Sequence, residues 1–229
     1  MINVVKHQPP PASLAIEKLK LNGTYRTEDV GLQIQKDFYN KCYICEDSDI
    51  TSINTEHFVP HKGDINLKFD WDNLFFVCGH CNNTKLAKAV YDNMLNCTNP
   101  AHEVTNWIRY STIEDDGFAK IKVVVEEVVA RDGVTPTVTL LNDVYNGEHT
   151  INKKMESGNL RKRLHRELAA FYDLVFKFYL DANLSAAEKL VVRNQIAGHL
   201  QKPSAFSAFK IWAIRSKEKY FIDFGASIP

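Results

Sequence analysis

The C-terminal third of the chain has a helical pattern of apolar residues. Between Leu160 and Phe178 they recur every three or four positions, which places them on one face of an α-helix. Ser185 and Glu188 have the capping-box spacing that begins a second helix, because each side chain can bond the backbone of the other. Pro203 favours the start of a third helix, in SAFSAFKIWAIR. The pattern predicts a mainly helical C-terminal region.

The chain before this region has patterns typical of strands. Residues 118–129 are rich in β-branched side chains, and TPTVTLL follows across the turn RDGVTP, which together predict a β-hairpin. Residues 55–60 alternate and LFFVC is a short apolar run, so both predict strands. Apolar residues at helical spacings within residues 82–95 predict a helix after LFFVC. The fold class is therefore α+β, with the local order strand, loop, strand, helix.

The overall charge is balanced but locally uneven. Lys and Arg number 28, as do Asp and Glu, whereas nucleic-acid-binding proteins normally carry a positive excess. Between residues 153 and 166, however, six basic residues accompany a single acid, Glu156. This stretch is either a surface for phosphate or an acidic partner, or a solvated helix face. The six are Lys153, Lys154, Arg161, Lys162, Arg163 and Arg166.

The sequence predicts a cytoplasmic protein without a membrane partner. No apolar run reaches the roughly 18 residues of a membrane span, and MINVVKHQPPPASL lacks the apolar segment of a secretory signal. In a reducing compartment, cysteines are available as thiolates for metal binding. We expect Cys97, the one cysteine outside a pair, to be a small buried apolar residue.

Four of the five cysteines form two CxxC pairs, in KCYIC and VCGHC. A CxxC turn points two sulfurs at one ion, so two turns complete a tetrahedral four-thiolate zinc site. Such a site has no open position for substrate, and we expect this Zn²⁺ to be structural. The alternative is two unrelated buried pairs. His80, inside VCGHC, is expected to be an exposed loop residue. The expected ligands are Cys42, Cys45, Cys78 and Cys81.

Residues between and just after the cysteine pairs suit a second, harder cation. Glu56 and His57 are adjacent, Asn73 precedes LFFVC, and Asn82 follows the second pair. Carboxylate, imidazole and amide groups suit a catalytic divalent ion. Taken singly, each has another explanation: His57 as a core histidine, Asn73 as a turn former and Asn82 as a helix cap.

The string EHFVPHKGDINLKFDWDNLFFVCGHCNNTK resembles the HNH endonuclease signature. The resemblance implies a treble-clef-like ββα-metal module over residues 38–95. It assigns His57 as the general base on water, Asn73 as the residue that fixes its imidazole, and Glu56 with Asn82 as ligands of catalytic Mg²⁺ or Mn²⁺. Lys85 matches the lysine that commonly follows in CNxxK and is an implied substrate contact. From its position four residues after His57, His61 is expected to be a turn residue or a substrate contact, with a second metal ligand as the alternative. In HNH endonucleases, Asp is commoner than Glu at the position of Glu56. Asn82 occupies the position of the histidine that gives the family name its final H.

The chain as a whole resembles the PtuB family of Septu and retron-associated antiphage systems. The resemblance rests on the arm with PPPASL, the early HNH module and the late SAFSAFKIWAIR. It implies a nuclease effector in a hetero-oligomer with a PtuA-like ABC-type ATPase, or with a retron RNA–DNA complex, acting on DNA in preference to tRNA. The sequence pattern divides the chain into an N-terminal arm with the nuclease domain, residues 1–110, and a β-hairpin with helices, residues 111–229, which we expect to dock the partner. The alternative is a non-catalytic zinc module that binds nucleic acid or protein.

Overall fold

The architecture is α+β, as the sequence pattern predicts. The computed structural model describes residues 1–86, 88–115 and 120–229. Two separate antiparallel hairpins lie among helices. The strands are β1 (Ile53–His57), β2 (Leu74–Cys78), β3 (Ile108–Asp115) and β4 (Lys120–Glu127). The α-helices are α1 (Ala12–Lys18), α2 (Glu28–Asp37), α3 (Ile65–Lys68), α4 (Gly79–Lys85), α5 (Val104–Trp107), α6 (Val134–Asn146), α7 (Ile151–Leu180), α8 (Ala186–Leu200), α9 (Ser207–Arg215) and α10 (Glu218–Phe224).

The first hairpin and α4 have the predicted order of strand, loop, strand and helix. β1 pairs with β2 so that His57 lies opposite Leu74. The predicted strand at residues 55–60 is displaced toward the N-terminus, since β1 begins at Ile53 and ends at His57. The predicted helix at residues 82–95 is wrong in its bounds. It begins at Gly79 and ends at Lys85, because Leu86 adopts a positive φ of 43°, which a continuing helix does not allow.

The second hairpin pairs β4 with a strand that the sequence analysis did not identify. β4 confirms the β-branched run, of which residues 118 and 119 lie outside the described residues. Its partner is β3, whereas TPTVTLL lies in α6, so the prediction of a strand there is wrong. Gly133 directly precedes that helix and adopts a φ of 83°. Leu140, Leu141 and Val144 then bury one helix face, which outweighs the β propensity of the threonines and valines.

The C-terminal helices follow the apolar pattern closely. α7 buries the predicted face between Leu160 and Phe178. The Ser185 and Glu188 capping box is present. The third helix starts later than predicted, at Ser207, because Phe206 adopts a positive φ of 51° and precedes it in a turn. None of the described helices, including the 30-residue α7, combines the length and the apolar character needed to cross a bilayer.

The hydrophobic core is continuous across the middle of the chain. One cluster joins Val4 in the N-terminal arm, Phe75 in β2 and Phe209 in α9. Tyr110 in β3 packs against Phe209, with their ring centroids 5.0 Å apart. A second cluster lies between the end of α7 and helices α8 to α10. The suggested boundary near residue 110 therefore falls within a shared core, and the division into two domains stays a prediction.

Candidate metal centre and active site

Four cysteine sulfurs meet at the junction of the first hairpin and α4. Cys42 and Cys45 lie in a turn, while Cys78 ends β2 and Cys81 lies in the first turn of α4. The four sulfurs lie within 4.8 Å of one another, and those of Cys45 and Cys78 are 3.9 Å apart. Zinc–sulfur bonds of about 2.3 Å in a tetrahedron give sulfur separations of about 3.8 Å. The group therefore fits Zn²⁺, as the spacing predicts.

The surroundings of the sulfurs favour a metal site that is closed to substrate. Three of the four cysteines are fully buried, and Cys78 is half-buried. Burial raises the pKa of the Cys45 and Cys81 thiols, whereas hydrogen bonds from the other three cysteines lower that of Cys78. Bound Zn²⁺ favours the thiolate form of all four. With its four sulfur ligands in place, such an ion can stabilise the fold but cannot bind a water for chemistry.

The first CxxC turn is joined to both hairpin and helices. The Tyr43 amide donates to the Phe76 carbonyl of β2 at 3.0 Å. On the other side, Phe206 donates its amide to the Glu46 carbonyl at 3.1 Å, and the Ser207 hydroxyl donates to the Glu46 carboxylate at 2.8 Å. Lys41 donates to the Ser204 carbonyl at 2.7 Å. The turn before α9 thus packs directly on this cysteine turn.

The cysteine group, first hairpin and α4 occupy one continuous stretch of chain. Residues 42–88 match the HNH endonuclease family. We refer to this stretch, which includes the four cysteines, Glu56, His57, Asn73 and Asn82, as the HNH segment. A search of curated proteins gives no match to the chain. The family match covers 42–88 of 229 residues, so it bears on this segment and not on the C-terminal helices.

In the HNH segment, His57 ends β1 and is held in one tautomer. Its Nε2 lies 3.0 Å from the Lys68 carbonyl oxygen, which can only accept, so Nε2 carries the proton. The neutral ring then has an unprotonated Nδ1. Burial lowers the pKa of His57, which favours that neutral form at pH 7. Tyr25 and His61 pack edge-on against the ring, with centroids at 4.5 and 4.6 Å. The geometry suits a general base.

Asn73 fixes the loop that positions His57, and does so through backbone groups. Its Oδ1 accepts from the Val59 amide at 2.7 Å. Its Nδ2 donates to the carbonyls of Val59 and Leu67 at 2.9 and 3.1 Å. The His57 ring itself contacts the neighbouring Lys68 carbonyl. That Asn73 fixes the imidazole stays a prediction, and the contacts of Asn73 act on His57 by way of the loop.

Glu56 lies on the opposite face of β1 from His57, because successive strand residues point to opposite sides. Its side chain is buried, with 8 % of the residue exposed, and accepts a hydrogen bond from the Tyr43 hydroxyl. The Lys85 ammonium lies 3.4 Å from its Oε1. Burial raises the pKa of Glu56, and Lys85 opposes this shift. Its Oε1 is held by Tyr43 and Lys85, so a divalent cation bound through this atom would compete with Lys85.

Lys85 is a structural residue of this segment, contrary to the expected contact with substrate. It is 4 % exposed. Besides Glu56, its ammonium contacts the carbonyls of His57 and Phe58 at 3.3 and 2.9 Å. Asn82 lies about one helical turn before Lys85 on α4 and therefore on the same side of the helix, which faces β1. Asn82 is half-exposed and remains the better placed of the two expected cation ligands.

The two other histidines of the HNH segment differ in their surroundings. His61 is half-buried and its Nδ1 accepts from the Gly63 amide at 3.2 Å, as a turn residue beside His57. His80 was expected to be exposed, but its ring is almost buried between α4, α6 and α7. Its Nδ1 lies 2.9 Å from the Glu156 carboxylate and its Nε2 lies 2.8 Å from the Val144 carbonyl. His80 therefore joins the HNH segment to the helices.

The six basic residues of α7 between positions 153 and 166 separate into two sets. Lys153 binds the His80 carbonyl at 3.2 Å, Arg161 binds the Tyr145 carbonyl at 2.6 Å, and Arg163 pairs with Asp47. These three cations hold the helix against the rest of the molecule. The other three are exposed. They are Lys154, Lys162 and Arg166.

Three residues around His57 and Glu56 were not found by sequence reasoning. Tyr25 packs on the His57 ring, Tyr43 donates to Glu56, and Lys68 supplies the carbonyl that fixes the tautomer. Tyr25 is far from the motif in sequence, and the contribution of Lys68 is a backbone atom that any residue has. Only Tyr43, inside KCYIC, had a signal: an aromatic hydroxyl within a metal-binding turn.

Proposed function

We propose that this chain is a metal-dependent HNH endonuclease that hydrolyses phosphodiester bonds of nucleic acid. The observation that carries the proposal is His57, held with Nε2 on the Lys68 carbonyl inside a segment that matches HNH endonucleases. A histidine with a purely structural role can form its hydrogen bonds through either ring nitrogen or through both. A general base needs one nitrogen protonated and fixed and the other free to accept.

The chemistry assigned to the residues is hydrolysis by an activated water. His57 takes a proton from water at Nδ1, the water oxygen bonds to phosphorus, and the bond to the leaving oxygen breaks, with solvent protonating that oxygen. Asn73 keeps the loop in place during this transfer. Mg²⁺ or Mn²⁺ at such a site would neutralise phosphate charge. Glu56 and Asn82 are the proposed ligands, and an ion bound at Glu56 Oε1 would compete with Lys85.

The test is cleavage by His57→Ala. General-base catalysis contributes about 10²- to 10⁴-fold, so the variant should lose at least about a hundredfold in rate with Mg²⁺ or Mn²⁺ present. Its zinc content and melting temperature should stay close to those of the parent chain. His149→Ala is the matched control, because His149 is exposed and lies outside the HNH segment. Undiminished cutting by His57→Ala would contradict the assignment.

A non-catalytic zinc module is the second candidate, and one observation favours it. Glu56 is engaged with Tyr43 and Lys85, as expected if the residues of the motif serve only the fold. This candidate predicts binding of nucleic acid or protein without cleavage in any divalent metal. The same assay decides between the two, because only the nuclease yields products that depend on His57.

The finer assignment is that of an antiphage effector with an ABC-type ATPase partner, as in PtuB proteins. We propose DNA as the substrate, with tRNA as the alternative. The support is the resemblance of PPPASL and SAFSAFKIWAIR. The second stretch is largely internal, since Phe206, Phe209 and Ile211 are buried. A partner would therefore meet other parts of the C-terminal helices, where Phe176, Leu180 and Ile222 are exposed.

A further inference from the structure

The N-terminal half of α7 has an exposed face that carries only basic charge. Lys154, Lys162 and Arg166 are all exposed. At 3.6 residues per turn and 1.5 Å per residue, they lie within about 120° of the helix circumference and about 18 Å of its length. His165 lies on the same face. Glu156 and Glu167 point elsewhere, toward His80 and Lys210, and the first acid on this face is Asp173.

These three cations have no role in holding the described structure together. None of the ion pairs among the described residues includes Lys154, Lys162 or Arg166. Their neighbours on the helix, by contrast, hold α7 to carbonyls or to Asp47. Binding an anion at the exposed three therefore breaks no internal contact.

The face begins beside the HNH segment. The first turns of α7 pack on α4, where Lys153 contacts the His80 carbonyl and Thr84, and Glu156 contacts the His80 ring. Lys154 is the next residue along α7 and is exposed. Lys88, which follows α4, is exposed and near enough to Lys153 to influence its pKa. A basic surface thus leads from the end of α4 along α7.

We propose that Lys154, Lys162 and Arg166 bind the phosphate backbone of the nucleic acid that the HNH segment cleaves; this rests on the proposed function. Each strand of a duplex rises about 3.4 Å per nucleotide, so a span of about 18 Å matches roughly five phosphates. A protein partner would be expected to need aromatic or large apolar anchors. The exposed residues between these cations are instead small or polar, apart from Met155.

The test measures binding separately from cleavage. Fluorescence anisotropy of a duplex of about 20 base pairs, without added divalent cation and with the probe checked on a gel, gives the affinity at several salt concentrations. The variant combines Lys154→Gln, Lys162→Gln and Arg166→Gln. Loss of three phosphate contacts should make the negative slope of log K against log salt less steep by about 2.7. It should also weaken the affinity at about 0.15 M salt by about a hundredfold.

The matched control removes three exposed lysines from the other end of the molecule: Lys177, Lys189 and Lys217, each changed to Gln. Lys177 lies on the same helix, about 35 Å beyond Lys154. The control should bind like the parent chain. The proposal is overturned by an equal loss in both variants, by unchanged binding in the α7 variant, or by a parent chain that binds no duplex at low salt. Absence of cleavage with normal duplex binding contradicts only the nuclease.

Discussion

At the scale of single residues, Glu56 and Lys85 form a buried ion pair beneath the proposed base. Both side chains are at most 8 % exposed, and their charged atoms are 3.4 Å apart. Removing one partner of a buried pair leaves the other charge uncompensated, which typically costs about 3 to 5 kcal/mol. The Lys85 ammonium contacts the carbonyls of His57 and Phe58, so the pair also sets the end of β1. The position of His57 therefore depends on a neighbour that faces away from it.

We expect Lys85→Met to lower the free energy of unfolding by about 3 kcal/mol, because the buried Glu56 carboxylate then lacks a counter-charge. Adding Glu56→Gln should cost less than the sum of the single changes, with a coupling of about 1 to 3 kcal/mol. Urea unfolding of the four proteins measures this. Glu126→Gln is the control, since its pair with Arg109 is exposed and should change stability by less than about 1 kcal/mol. Additive single effects would show that the pair does not act as a unit.

At the scale of elements, the four clustered cysteines bring the hairpin, α4 and the first cysteine turn together. β1 and β2 form a two-stranded sheet, which is marginal by itself. A structural Zn²⁺ contributes about 10 to 16 kcal/mol of apparent binding free energy in small zinc modules. Its ligands come from the end of β2, from α4 and from the preceding turn. Zn²⁺ bound to these four cysteines would therefore be the main support of the HNH segment.

Cys81→Ser should reduce the zinc content from about one ion per chain to well below one and lower the melting temperature by at least about 10 °C. Elemental analysis and thermal unfolding measure the two effects. Cys97→Ser provides the control: Cys97 is equally buried, and burial raises its pKa to about 12, but it lies outside the four-sulfur group. Full zinc content in Cys81→Ser would exclude the four-sulfur site.

Elements with a strong local pattern could be predicted, and those decided by distant contacts could not. The cysteine spacing, LFFVC and the face of α7 are local signals, and the structure has all three. α6 was misread as a strand because its β-branched residues gave the wrong propensity, while its buried face depends on packing against β4 and α7. At the site, the motif identified His57. The contacts of Glu56 with Tyr43 and Lys85 depend on side-chain directions that spacing alone does not define.

At the scale of the whole molecule, the balanced charge limits what the chain does alone. Its formal net charge is zero, so long-range attraction to nucleic acid is weak outside local surfaces such as that on α7. A nuclease of this kind gains from a partner that supplies further phosphate contacts. The shared core between residues 1–110 and the C-terminal helices means that such a partner would bind one continuous body.

We expect a PtuA-like ABC-type ATPase to form a stable complex with this chain and to increase its cleavage of DNA. Size-exclusion chromatography measures the complex. Gels of plasmid and total tRNA, incubated with each protein alone and with the pair, measure the cleavage and identify the substrate. The pair with His57→Ala is the control and should form the complex without cutting. Absence of a complex, with cleavage by this chain alone, would exclude the partner.

Contacts of Glu46 with Ser207 and with the turn before α9 join the first cysteine turn to the C-terminal helices. The free energies of the two parts are therefore linked. A ligand that shifts that turn alters the free energy of the first cysteine turn, and hence the affinity for zinc. Linkage is reciprocal, so zinc binding changes the affinity for that ligand by the same factor. For any ligand that acts on that turn, zinc content and ligand binding would therefore report on the same equilibrium.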